Sequence, residues 1–129
     1  MRRRFPAGEV SPALDRLEEL GYLNDADFAE LRARSLRVTR LWGSRRIELD
    51  LKRLGVNAKI ARLTVEKLEQ EHPEREALLR AVGAWIRTSG HPETASQLKK
   101  LYDYCLRRGF SPQMTRDELE EYFSEVDWS

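Results

Sequence analysis

The chain has 129 residues, 40% of them apolar and 35% charged, enough for one ordinary domain or a few small repeats and too apolar for a disordered chain. The apolar stretch Leu78–Ile86 is broken by Arg80, no run approaches the roughly 18 residues of a membrane span, and no apolar segment follows the basic start Met1-Arg2-Arg3-Arg4. A cytoplasmic protein without membrane contact is the expectation. A single cysteine, Cys105, excludes an intrachain disulfide and a thiolate-rich metal site, and His72 and His91 each precede a proline, which puts them in connections. Phosphate-cradling and nucleophile-elbow motifs are missing, so no catalytic constellation, metal or cofactor is expected and the chain reads as a non-enzyme.

The apolar period is helical almost throughout, predicting an all-α protein of about seven helices. Ser11-Pro12 opens a first helix with Val10, Ala13, Leu14, Leu17 and Leu20 in one stripe, ended by Gly21. Asn24 caps a second, with Phe28, Leu31, Ser35 and Val38 inward, Trp42 beside them and Gly43 as the stop. Ser44 caps a short third helix (Ile47, Leu51 and Leu54 inward, closed by Gly55), and Asn57 opens a fourth (Ile60, Leu63, Thr64, Leu68). After Pro73 a fifth presents Leu78, Val82, Trp85 and Ile86. A sixth carries Leu98, Leu101, Tyr102, Cys105 and Leu106 up to Gly109, and Ser111-Pro112 opens a seventh with Leu119, Tyr122, Phe123 and Val126.

Three short motifs recur at near-equal intervals, each before an amphipathic helix: Arg3-Arg4-Phe5-Pro6, Arg53-Leu54-Gly55-Val56 and Arg107-Arg108-Gly109-Phe110. Three helices fill each interval, so the expected architecture is a tandem array of three-helix repeats. Residues 1–23 keep only the last helix of a truncated first repeat, 24–71 form a central repeat with a basic surface, and 72–129 form a third with an acidic terminal helix.

The formal net charge of +1 conceals a dipole. Between Leu31 and Arg62 ten bases face two acids, Glu48 and Asp50, whereas Asp117–Asp127 holds six acids and no base. A basic centre of this density suits phosphate or acidic protein patches. Helical geometry turns Arg37 and Arg40 away from the Phe28, Leu31, Val38 stripe with Arg34 beside them, sets Arg45 and Lys52 opposite Ile47 and Leu51, and places Arg46 and Arg53 on one side. With Lys59 and Arg62 these are the candidate binding residues: Arg34, Arg37, Arg40, Arg45, Arg46, Lys52, Arg53, Lys59 and Arg62. Arginine's planar fork donates paired hydrogen bonds to phosphate and carboxylate alike, so the residues alone leave both partners open.

The run Leu17-Glu18-Glu19-Leu20-Gly21-Tyr22-Leu23-Asn24-Asp25, then Phe28-Ala29, Gly43-Ser44-Arg45-Arg46-Ile47 and Leu51-Lys52-Arg53-Leu54-Gly55-Val56, resembles the RecX family, and Arg107–Pro112 is similar to the start of that family's last helix. Leu54 stands where the family pattern has lysine, Asp50 where glutamate is common, and the leading helices of the first repeat are missing. The resemblance implies an elongated, curved, monomeric regulator of the RecA recombinase. It would lie in the groove of a RecA filament on single-stranded DNA, touch the phosphate backbone, and lower ATPase and strand exchange in DNA repair and the SOS response. Two rivals come from the residues themselves. One is a helix-turn-helix protein reading duplex DNA with helices 44–54 and 58–70; the other is a scaffold whose acidic terminal helix binds a basic protein.

Overall fold

The computed structural model describes residues 12–127, with side chains described from Asp25 onward. These residues form six helices and no strand: α1 (Pro12–Val38), α2 (Ser44–Arg53), α3 (Ala58–Glu71), α4 (Glu74–Ser89), α5 (Ala95–Arg107) and α6 (Pro112–Tyr122). The first-repeat motif at Arg3–Pro6, the inward stripe expected before Gly21, and the side chains of Tyr22 and Trp128 lie outside the described residues.

The first two expected helices are one. α1 runs unbroken through Gly21 and Asn24, and so crosses the boundary expected between residues 23 and 24. A glycine inside a helix costs only about 1 kcal/mol, and no proline or left-handed residue interrupts the ladder there, so continuing it is cheaper than opening two new ends. At α2 the cap is Gly43 rather than Ser44, which is the first helical residue and whose hydroxyl accepts from Arg37 instead, while three later starts follow the capping chemistry. Asn57 accepts from the Lys59 amide at 2.7 Å, Thr94 and Gln97 form a reciprocal capping box, and Ser111 accepts from the Met114 amide before Pro112.

Burial divides the helices into two three-helix groups. One core gathers Ala29, Ala33 and Leu36 of α1, Trp42, Ile47 and Leu51, and Val56, Ile60, Ala61 and Leu68. The other gathers Ala77, Leu78, Ala81 and Val82 of α4, Leu98, Leu101 and Cys105 of α5, and Phe110, Leu119, Phe123 and Val126.

The first core corrects the expected inward face of α1. Leu31 is 66% exposed and Phe28 and Val38 also face solvent, while Ala29 and Ala33 are fully buried. Both stripes have helical period, in different phases. The alanine stripe wins because its small side chains let α1 pack closely on α2 and α3. Leu63 on α3 and Tyr122 on α6 are likewise outward rather than core, whereas Ile47, Leu51 and Leu101 are fully enclosed and Trp85 and Ile86 pack at the edge of the second core.

The two groups meet at a backbone joint. The Gly43 amide donates to the Arg108 carbonyl at 2.7 Å and the Arg45 amide to the Gly109 carbonyl at 3.3 Å. The approach requires glycine on both sides: a Cβ on Gly43 would lie 2.3 Å from the Gly109 carbonyl carbon, and one on Gly109 would lie 2.3 Å from the Arg46 Cβ. Gly109 also sits at φ +94°, in the left-handed region where glycine carries no Cβ penalty.

Candidate basic interface

Arg37 is not part of the surface. It is 1% exposed, donating to the Trp42 carbonyl at 3.1 Å and to Ser44 Oγ at 2.7 Å, with Glu69 at 3.8 Å. Glu74 accepts from the Ser44 amide at the start of α2 at 2.5 Å, and Glu69 in turn accepts from the Glu74 amide at the start of α4 at 2.9 Å. Two carboxylates thus satisfy two helix N-termini, and the arginine between them balances their charge. Burial pulls the Arg37 guanidinium below its usual range, and the charges of Glu74 and Glu69 oppose that shift. The expectation that Arg37 turns away from Leu31 and Val38 is correct in angle. The direction away from that stripe is inward, so Arg37 ties α1 to α2 and α3 beside the start of α4 and is unavailable to a ligand.

Arg32 and Asp50 form a second structural pair. Arg32 Nε and Nη2 donate to Asp50 at 2.6 and 3.2 Å, and Arg53 adds a contact at 3.3 Å. The Arg32 hydrogen bond holds the Asp50 carboxyl below the ordinary carboxylate range, against the cost of burial.

The other candidates are distributed over several faces. Arg34 pairs with Glu71 across α1 and α3 at 3.5 Å. Lys59 and Arg62 are exposed on α3, but their face also carries Glu66. That mixed face is the one a helix-turn-helix reader would present to duplex DNA.

On α2 the arrangement is one-sided. Ile47, Asp50 and Leu51 point inward, so helical spacing sets Arg45, Arg46, Leu49, Lys52 and Arg53 together on the outer face. Leu49, 65% exposed, stands among these four cations. Lys52 is braced by Glu48 at 3.0 Å. Arg46 lies over the Trp42 ring with its guanidinium carbon 3.8 Å from the centroid and donates to the Arg107 carbonyl at 3.1 Å. Such a stacked, tethered arginine is pre-organised and gives up little freedom on binding.

Beside this face, at the joint, lies a groove of about 380 Å³ lined by Arg45, Arg46, Leu49, Leu106, Arg107, Gly109, Phe110 and Pro112. Arg107, at the end of α5, comes from far along the chain and was not among the candidates. Arg108 belongs to the joint itself, donating to the carbonyls of Arg40 and Leu41. The Arg-Arg-Gly-Phe copy of the recurring motif contained this signal, but a charge count over Leu31–Arg62 cannot see a cation that only the fold brings alongside. The surface can therefore hold phosphate or carboxylate oxygens along α2, with an apolar slot at one end.

Among the described residues no group of histidine, cysteine and carboxylate side chains could hold a metal ion, and no helix is long and apolar enough to cross a membrane. Cys105 is buried in the second core, which pushes its thiol up to about 12 and leaves it protonated.

Residues 24–63, comprising the second half of α1, α2 and the start of α3, match the model of the RecX second three-helix domain. Over 98% of its length the chain is 31% identical to the regulatory protein RecX of Thermobifida fusca, covering 70% of that protein. It is 29% identical over 90% of its length to that of Mycolicibacterium smegmatis, covering 63%, and 25% identical over 98% to that of Listeria monocytogenes, covering 46%. The chain thus spans from about half to about two thirds of these relatives. No solved structure matches. With a three-helix domain of the matching kind and a relative of this similarity along nearly its whole length, the chain belongs to the RecX family of regulatory proteins.

Proposed function

We propose that this chain regulates RecA without catalysing a reaction, by binding in the groove of the RecA filament on single-stranded DNA and lowering its ATPase and strand exchange. This places its action in DNA repair and the SOS response in the cytoplasm. Membership of the RecX family supports the reading, and the observation that carries it is the outer face of α2, where Arg45, Arg46, Lys52 and Arg53 surround an exposed leucine. Four cations on one helical face suit the regular spacing of backbone phosphates or of acidic patches on a filament, and such contacts are independent of base sequence. Arg107 extends this face at the groove, Arg40 is exposed in the turn before it, Lys59 and Arg62 form a second, mixed row on α3, Arg34 is engaged by Glu71 on another face, and Arg37 supports α2 from within through Ser44.

The test is the single-stranded-DNA-dependent ATPase of the cognate RecA, titrated with this protein at two salt concentrations beside binding to the same DNA without RecA. Inhibition at concentrations below those that bind free DNA, weakening as salt rises, is the expected result. A folded protein that leaves the ATPase unchanged, or that selects one duplex sequence in competition, would overturn the reading.

A further inference from the structure

The groove at the joint combines features that a phosphate backbone does not need. Arg45, Arg46 and Arg107 supply cations at its rim, but its floor is Leu106, Phe110 and Pro112 beside the exposed Leu49. A surface of this kind fits a protein segment that carries carboxylates around an apolar or aromatic side chain, because burying the apolar part adds to the charge attraction.

The molecule itself carries such a segment. Among the described residues the large apolar side chains that stand exposed are Phe28, Leu31, Val38, Leu49, Leu63 and Tyr122. Each of the first five has an arginine or lysine within four positions along the chain, as Phe28 has Arg32 and Leu63 has Arg62. Tyr122 has none. It is 55% exposed and is flanked by the exposed Glu121 and Glu125 in a stretch without a base from Asp117 to Asp127. The lining of the groove includes nothing from α6 beyond Pro112, so the two patches are not already joined within one molecule.

We infer that copies of this chain associate head to tail, the acidic edge of α6 around Tyr122 on one copy seating in the basic groove between α2 and the α5–α6 turn of the next. The contact joins two different patches, so it leaves a free groove at one end of the pair and a free edge at the other and extends to rings or open chains. It is salt-sensitive, since its charges meet at exposed rims. Arg45 and Arg46 also belong to the face proposed to meet the filament, so single-stranded DNA competes with self-association. The inference itself does not rest on that reading.

The test uses the full chain alone, without RecA or DNA. Sedimentation of the wild type at about 50 mM salt should show a mass above the 15.1 kDa monomer that rises with concentration, and at about 500 mM a return to monomer. A groove variant (Arg45→Glu with Arg107→Glu) and an edge variant (Glu121→Lys with Glu125→Lys) should each be monomeric alone and helical by circular dichroism. Mixed in equal amounts they should associate again, because each supplies the surface the other has lost. A wild type that stays monomeric at low salt and high concentration would overturn the inference. So would folded variants that stay apart when mixed, or a groove variant that associates as the wild type does.

Discussion

The turns after α2 and after α5 have the same design and opposite uses. In each, a glycine at φ +94° ends the helix. The Gly55 amide donates to Lys52 and that of Val56 to Leu51, as Gly109 donates to Leu106 and Phe110 to Cys105. The next residue, Val56 or Phe110, is buried, and Asn57 or Ser111 caps the following helix. Around Gly55, however, a Cβ would meet nothing within 4 Å, whereas around Gly109 it would strike Arg46. The residue before each glycine accounts for part of the difference. Arg108 donates to the carbonyls of Arg40 and Leu41 across the joint, and the matching position holds Leu54, which has no polar group to offer. A repeated turn becomes a joint between units only where glycine faces glycine and a side chain can satisfy the neighbour's carbonyls.

Substitution at the two glycines sharpens this comparison most. Gly109→Ala adds a contact of 2.3 Å to left-handed strain, and a loss of about 4 kcal/mol is expected in urea unfolding. Gly55→Ala meets only the strain and should lose about 1 kcal/mol. Equal losses at the two sites would remove the distinction between joint and open turn.

Arg37→Met comes next, at about 3 kcal/mol, because it leaves Glu69 and the nearly buried Glu74 without their counter-charge. Since Ser44, Glu69 and Glu74 link α2, α3 and α4, the expected signature is a single unfolding transition splitting into two as the groups uncouple. A cost below about 1 kcal/mol would place Arg37 outside this support role.

Asp50→Asn should cost about 2 kcal/mol at neutral pH through loss of the charge-assisted bonds from Arg32. The folded-state pKa of Asp50 is depressed, so its contribution is fully present above the unfolded value of about 4 and is lost as pH falls through the folded value. Urea midpoints of wild type and variant should therefore converge as pH falls below the unfolded value, and a difference that stays constant as pH falls would contradict the assignment. The exposed pair Lys67–Glu30, at 2.9 Å, gives the smallest effect, with Lys67→Ala leaving the urea midpoint unchanged, because solvent and salt screen a surface pair.

Much of this was legible in the residues. The caps at Asn57 and Ser111, the stops at Gly55 and Gly109 and the inward Ile47, Leu51 and Leu101 are local chemistry, and local chemistry is written in sequence. The phase of α1 was not, because Leu31 and Ala33 both fit a helical stripe and only the neighbours' distance selects the smaller side chain. Of the candidate interface, the α2 row was legible from spacing. The inward turn of Arg37 and the arrival of Arg107 at the groove were not, since both depend on how the two three-helix groups meet.

The most direct test of the α2 face as the regulatory surface is the RecA ATPase titrated with a variant carrying Arg45→Glu, Lys52→Glu and Arg53→Glu, beside a variant carrying Arg80→Glu and Arg87→Glu on α4. The account predicts that the α2 variant keeps its helicity and loses inhibition by at least about tenfold, as removal of several cation contacts requires, while the α4 variant inhibits as the wild type does. Undiminished inhibition by the folded α2 variant would contradict it.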